Sequence, residues 1–368
     1  MQIADFALER YFARWEFAVR HVLCASDVEP YGLSEFLAMA DDDSRRRWND
    51  LQLAYTESLG LPALRDEIAA LYTMLAADDV ITFAGAEEGV FLAMHAALSP
   101  GDHVVVEWPA YQSLHEVARS IGAQVTLVPL DPATWSLDVD AVAAAMRPNT
   151  RMIVVNSPHS PTGSQLHATQ LERLVAIAEL HGVTLFSDEV YRFLEHAAPP
   201  LPPAADRSPR AASLGVMSKA FGLAGIRIGW IATRDRELRR RLASLKDYTT
   251  ICNAAPSEVL ALIGLRRREQ VVARAMAIIR SNLALLDDFM ARHEDVFEWV
   301  RPRAGSVCFP RLTTGEIDRF AADLVEQEGV LLLPASQFGY AGNHFRLGYG
   351  RADMPQALAR LEAFLARR

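Results

Sequence analysis

The chain has 368 residues, 51% of them hydrophobic and 23% charged, the composition of a soluble globular protein. That length exceeds one ordinary core and predicts two domains, or one large α/β domain with an appendage. The net charge of −9, without a basic block, argues against nucleic acid and anionic membranes as partners.

The N-terminus, Met1-Gln2-Ile3-Ala4-Asp5, runs into a charged, aromatic, helix-like stretch. It lacks the basic segment, apolar segment and cleavage site of a secretory leader. No apolar run reaches the ~18 residues of a membrane span. Cys24, Cys252 and Cys308 are far apart and odd in number, which argues against a disulfide framework and fits a reducing cytoplasm. Residues 1–45 are expected to pack with a small C-terminal domain. The charge run Asp41–Arg47 reads as a solvated loop or helix face.

From about residue 80, short β-branched runs alternate with longer helical segments. The strands predicted are Val80–Phe83, Val104–Trp108, Val125–Pro129, Met152–Asn156, Thr184–Asp188, Ala212–Val216 and Ile228–Ala232. Helices are predicted over 86–98, 112–121, 137–146 and 167–180. Buried strands alternating with helices imply a mainly parallel sheet with right-handed crossovers. The last strand pair is less regular, so the seven-stranded sheet is expected to be mixed. A proline-rich loop, Leu201-Pro202-Pro203-Ala204-Ala205, leads into the sixth strand.

Residues 46–256 thus form a large α/β domain in which helices flank the sheet. Residues 257–293 read as one long helix, or two abutting ones, joining it to a smaller α/β domain over 294–368. That domain is expected to hold strands Phe297–Val300, Ser306–Pro310, Val330–Pro334 and His344–Leu347, and a final helix Pro355–Arg367. Together with residues 1–45 it makes up the small domain.

Five motifs follow the predicted strands, on loops that share one edge of a parallel sheet, where ligands bind. In Ser218-Lys219-Ala220-Phe221-Gly222-Leu223-Ala224-Gly225-Ile226-Arg227 a lysine precedes a glycine-rich turn and an arginine. An amine partly desolvated by such neighbours is a nucleophile. The glycines let the backbone approach a bulky anion, and Arg227 offers a fixed fork for phosphate. These are the parts of a Schiff-base lysine for a phosphorylated aldehyde; a surface lysine beside a loop is the other reading. Ala84-Gly85-Ala86-Glu87-Glu88-Gly89 ends a strand and opens a helix, whose free N–H groups and dipole attract an anion. Tyr111, in Trp108-Pro109-Ala110-Tyr111, stands where it stacks on a flat ring or simply packs. Asn156-Ser157-Pro158-His159-Ser160-Pro161-Thr162-Gly163 is a rigid turn that aims Asn156 and Ser160 into the cleft. Asp188, in Ser187-Asp188-Glu189-Val190-Tyr191, ends an apolar strand, where a carboxylate needs a partner. A protonated pyridine nitrogen is one partner and a helix N-terminus another; Tyr191 is placed to reach the same ligand.

In order and spacing this set resembles the fold type I pyridoxal-phosphate enzymes of the class I/II aminotransferase family, from about Leu51 to the C-terminus. The resemblance implies that Lys219 holds pyridoxal 5'-phosphate as a Schiff base and moves the substrate α-proton. It implies that Asp188 keeps the pyridine nitrogen protonated, making the ring an electron sink. Tyr191 and Ser160 would meet the ring hydroxyl, and Tyr111 the ring face. Gly85, Ala86, Ser218 and Arg227 would hold the phosphate. Tyr55 matches a tyrosine that crosses a dimer interface to the phosphate, which implies a homodimer with shared active sites. Arg346, in Phe345-Arg346-Leu347-Gly348, matches the arginine that grips the substrate α-carboxylate.

Three positions depart from the family pattern. Ser160 replaces a usual asparagine, Ala84 a common serine, and Val216 a serine three residues before the lysine. The first puts ordinary amino transfer in doubt, because bonding to the ring hydroxyl tunes how the ring returns its proton. No arginine lies in Tyr248-Thr249-Thr250-Ile251-Cys252-Asn253, which disfavours aspartate and glutamate as substrates. Val28-Glu29-Pro30-Tyr31-Gly32-Leu33-Ser34-Glu35 is similar to the capreomycidine-synthase branch and should lie over the substrate, with Tyr31 and Gly32 as substrate contacts. Glu29 or Glu35 would then meet a guanidinium or serve as an ordinary loop or cap carboxylate. The expected activity is a cytoplasmic aminotransferase acting on an α-amino acid, with a 2-oxo acid as its second substrate and no metal. Elimination or cyclisation of a modified amino acid, and carbon–sulfur lysis, are the alternatives. A cofactor-binding regulator is disfavoured, since no DNA-binding module is attached and the chain is acidic.

Overall fold

The computed structural model describes residues 2–197 and 199–367. Seven short runs, largely buried except for the edge strand β3, form the central sheet: β1 Val80–Phe83, β2 His103–Trp108, β3 Gln124–Pro129, β4 Thr150–Asn156, β5 Thr184–Asp188, β6 Ala211–Val216 and β7 Gly229–Thr233. Their order across the sheet is β1-β7-β6-β5-β4-β2-β3. Strands β2 to β6 run parallel, while β7 is antiparallel to both β1 and β6. Successive strand residues serve two cores: Val104 and Val106 pack on one face, Val105 on the other. A strand covered on both faces has no reason to alternate polar with apolar residues, which explains its continuous Val/Ile spelling.

Helices Ala86–Ala97, Ser113–Ile121, Val139–Ala145 and Ala168–His181 connect successive strands. Gly122 and Gly182 end two of them in the left-handed conformation, at φ 94 and 66°. The expected connector is two helices, Ala255–Arg266 and Arg268–Arg292, separated at Arg267. Among the described residues no helix is long and apolar enough to cross a membrane.

The C-terminal part carries a small antiparallel sheet, Leu333–Pro334, Phe345–Gly348 and Val307–Cys308, with helices Ile317–Glu328 and Met354–Leu365. The N-terminal segment is tied to it by backbone bonds, Gly348 N–H to Leu23 C=O at 2.8 Å and Glu29 N–H to Gly350 C=O at 2.9 Å. The run Asp41–Arg47 is more than a solvated face. Asp41 caps helix Asp42–Asn49 by accepting from Ser44 N–H, and Asp41, Asp43 and Glu67 together surround the Arg266 guanidinium at 2.9–3.2 Å.

Two registers fix the functional edge. Asn156 pairs with Asp188, which levels the ends of β4 and β5. Gly229 faces both Phe83 and Val216, so the reversed strand β7 begins where β1 and β6 end. The 217–228 loop is thereby returned to the edge where Asp188 emerges.

Candidate functional site

A cavity of about 400 Å³ opens at this edge. Asp188 reaches it from the end of β5, only 6% exposed. Burial pushes its carboxyl up to about 7, opposed by the Val190 N–H at 3.1 Å and by Lys219. Beside it, Asn156 at the end of β4 donates its amide to the Asp188 carbonyl at 2.9 Å and accepts the Ser160 N–H at 2.7 Å. The Ser160 side chain lines the cavity; its hydroxyl is buried and has no partner among the described residues. Behind them Glu107 accepts the Asn156 N–H. Burial raises the Glu107 carboxyl to about 8 and lowers the neighbouring His159 to about 4. The two, 3.8 Å apart, are thus neutral neighbours rather than an ion pair. The His159 Nε2–H is committed to the Pro109 carbonyl at 2.9 Å.

The loop after β6 supplies the amine. Lys219 Nζ donates to Ser26 Oγ at 2.8 Å and lies 5.5 Å from the Tyr191 ring centre. Ser218 and Tyr191 line the same space. Arg227 closes the loop in the left-handed conformation at φ 53°, with Nη1 held by the Ala224 carbonyl at 3.1 Å. Its guanidinium lies over Gly85, whose φ is +91° and where a Cβ would come within 2.5 Å of Arg227 Nη2. Gly85 precedes helix Ala86–Ala97, so the free N–H groups of the first turn and the guanidinium converge on one anion-sized place. Glu87, in that first turn, also lines the cavity; burial raises its carboxyl to about 7, and it accepts from the Ser113 hydroxyl at 3.0 Å.

Helix Ala7–Trp15 forms much of the opposite wall. Gln112 anchors it by accepting the Ala7 N–H at 2.9 Å and donating to the Asp5 carbonyl at 2.8 Å. Tyr111 packs its ring 5.0 Å from Phe6 and donates its hydroxyl to Glu9 at 2.8 Å. Burial, then Glu87 and Glu9, raise the Tyr111 phenol, so it stays a donor. Arg346, on strand Phe345–Gly348, is 2% exposed and lines the cavity. Its Nε donates to the Cys24 carbonyl at 3.0 Å, and the rings of Phe12 and Phe338 lie 5.7 Å away. Its two terminal nitrogens have no acceptor among the described residues, an arrangement that calls for a carboxylate from outside.

Of the residues singled out in the sequence, Ala86, Tyr111, Ser160, Asp188, Tyr191, Ser218, Lys219, Arg227 and Arg346 all line this one cavity. Tyr55 does not; it is 87% exposed on the outer surface. Tyr31 and Gly32, expected as substrate contacts, do not line this cavity of the single chain either. Arg274 donates to the Glu29 and Pro30 carbonyls and lies 4.1 Å over the Tyr31 ring, pinning the segment to the long helix. Glu29 accepts from Ala352 N–H, and Glu35 is exposed. The covering wall comes from further upstream, with Glu9, Phe12, Glu16, Ser26 and Asp27, none of which the sequence reading chose. Leu8, Glu9, Phe12 and Glu16 fall on one helical face, and that spacing was the available signal.

The model of the family described as aminotransferase class I and II matches residues 42–361. Capreomycidine synthase of Streptomyces vinaceus is 29% identical to this chain, covering 97% of the chain and 91% of that protein. An arginine–pyruvate transaminase of Pseudomonas aeruginosa is 30% identical, covering 80% and 77%. Among solved structures, a PLP-dependent aminotransferase from Streptococcus suis superposes with a TM-score of 0.94 at 28% identity, covering 100% of this chain and 99% of that one. The PLP-dependent cyclase OrfR superposes with a TM-score of 0.91 at 29% identity, covering 100% and 98%.

Proposed function

The chain belongs to the aminotransferase class I and II family, and on that premise we propose that it moves the amino group of an α-amino acid with Lys219 as the anchor of pyridoxal phosphate. The residues present fit that group. Among the described residues Ser160 offers a buried hydroxyl without a partner, Asp188 a buried carboxyl that forms no ion pair, and Gly85 with Arg227 an anion cradle that any Cβ at Gly85 would fill. Lys219 would hold the aldehyde carbon, Asp188 the ring nitrogen, Ser160 and Tyr191 the ring hydroxyl and Tyr111 the ring. Arg227, Ser218, Gly85 and Ala86 would hold the phosphate. When bound, the cofactor supplies an electron-withdrawing ring.

The rest is done by the chain. Arg346 binds the substrate α-carboxylate through its two open nitrogens and so fixes which bond at the α-carbon faces Lys219. Lys219 Nζ would take the α-proton and pass it on, since handing it back to the α-carbon would leave the amino group where it was. Asp188, beside a cationic ring nitrogen, is drawn to its carboxylate form and keeps a proton on that nitrogen. The single observation that carries this reading is Arg346: a guanidinium 2% exposed, open at two nitrogens, facing the same cavity as Lys219 and Asp188.

The reading extends to a homodimer in the cytoplasm. Leu53, Tyr55, Tyr248 and Ile251 expose large side chains. The two segments that carry them are joined by Thr56 to the Asn253 carbonyl at 3.2 Å and Ser58 to Asp247 at 3.0 Å. An apolar patch of this kind suits a two-fold contact, from which Tyr55 would reach the phosphate site across the interface. A second reading, elimination or cyclisation, is favoured by one observation: Ser160 is shorter than the asparagine the family usually carries there.

Amino transfer is tested by mixing the protein, loaded with pyridoxal phosphate, with a panel of amino acids and an added 2-oxo acid. Labelled nitrogen appearing in the second amino acid supports amino transfer. Release of ammonia or of a cyclised product, with no labelled amino acid, supports the second reading instead.

A further inference from the structure

We propose that Glu9 and Glu16 form a subsite for a positive charge at the end of the substrate side chain, so that the enzyme takes basic amino acids. This rests on the aminotransferase reading and names its substrate class. Three cations line the cavity: Lys219, Arg227 and Arg346. In the loaded enzyme the cofactor occupies the first two and the substrate carboxylate the third. Five carboxylates line the same cavity, and three of them are accounted for. Asp188 meets the ring nitrogen. Asp27 is gripped by Arg351 through two bonds of 3.0 and 2.8 Å. Glu87, whose carboxyl burial raises to about 7, accepts from Ser113 beside the phosphate cradle and is not held as a full charge. Glu9 and Glu16 remain.

Among the described residues Glu9 accepts from the neutral Tyr111 hydroxyl alone, and the Glu16 side chain has neither a hydrogen bond nor an ion pair. The two are seven positions apart, which on a helix is two turns, about 10 Å, along one face. Phe12 sits between them, with the Arg346 guanidinium 5.7 Å from its ring. A substrate whose carboxylate is on Arg346 therefore runs its side chain past Phe12 toward two acids that form no ion pair among the described residues. Burial, then Asp27 and Glu9, raise the Glu16 carboxyl against the weaker pull of Arg351 and Arg346, so like charges still crowd this wall. An ammonium or guanidinium removes that repulsion; a neutral side chain leaves it and an acidic one adds to it. Arg346 supplies the independent sign that an amino acid binds here, because it is buried and open on the cavity side.

Arginine and citrulline have nearly the same shape and differ in charge, so they separate charge from size. Their dissociation constants are measured on the loaded enzyme in two ways, by the change in the cofactor's visible absorbance and by calorimetry. Arginine should bind at least about tenfold more tightly than citrulline, the ratio worth ~1.4 kcal/mol. Raising the salt concentration should shrink the ratio. In the double variant Glu9→Gln, Glu16→Gln the ratio should fall toward one while citrulline binding is kept. Equal binding of the two amino acids by the parent enzyme overturns the proposal, as does a preference that survives in the variant. The salt series on the parent decides the matter if the variant does not fold. A protein to which no pyridoxal phosphate attaches signals failure of the underlying reading, which is distinct from attachment without a preference for charge.

Discussion

Asp188 and Glu107 lie within the sheet with few donors, and the consequence is a pH dependence of stability. Their carboxyls, ordinarily at 3.8 and 4.5, are raised by burial to about 7 and about 8. A raised acid stabilises the fold fully below its ordinary value and loses that contribution as pH rises through the shifted one. The cofactor-free protein should therefore melt at a lower temperature at pH 9 than at pH 6. Glu107→Gln should flatten the fall, and an unchanged slope in scanning calorimetry would speak against the buried acid. Arg346→Ala removes a charge-assisted grip worth ~1.5–3 kcal/mol and should raise KM for the amino acid about 10- to 100-fold, with a smaller change in kcat. A drop in kcat alone, at unchanged KM, would take Arg346 out of substrate binding.

At the scale of elements, the meeting of β7 with the turn at Gly85 constrains the anion cradle through backbone atoms. A Cβ at Gly229 would lie 2.7 Å from the Ala86 backbone nitrogen and from the Gly85 carbonyl carbon. Those atoms are backbone and do not step aside, so Gly229→Ala should cost ~1–3 kcal/mol in denaturant unfolding and weaken pyridoxal phosphate binding. Wild-type affinity in that variant would show that the cradle does not depend on this contact. The strands were legible because each is a short apolar run that stops at a polar or turn residue; β5 ends at Asp188 as the spelling implies. The ordered loops at their ends were legible for the same reason. The covering wall was not. Ser26 meets Lys219 across 193 residues, and Gln112 holds Ala7 across 105. Contacts of that range leave no local pattern beyond an amphipathic face. Likewise Tyr31 follows Arg274, a partner 243 positions away that no periodicity reveals.

The whole molecule places one amine at the site and keeps others away. The chain has only two lysines, Lys219 and Lys246, so nearly all its 37 basic residues are arginines. Lys246 is 0% exposed and donates to the Ser58 carbonyl, out of reach of a large aldehyde, whereas Lys219 opens on the cavity. At this scale Tyr55→Ala should weaken pyridoxal phosphate binding although Tyr55 lies outside its own chain's cavity, and sedimentation should give a dimer; a monomer that binds the cofactor as tightly as the parent would remove Tyr55 from the site. The two-lysine composition makes borohydride reduction the most direct measurement. The protein is loaded with pyridoxal phosphate, reduced, digested and mapped by mass spectrometry. A single pyridoxyl group on Lys219, absent from Lys219→Ala, is the expected result. A protein that takes up no cofactor, or one labelled on Lys246 instead, would contradict it.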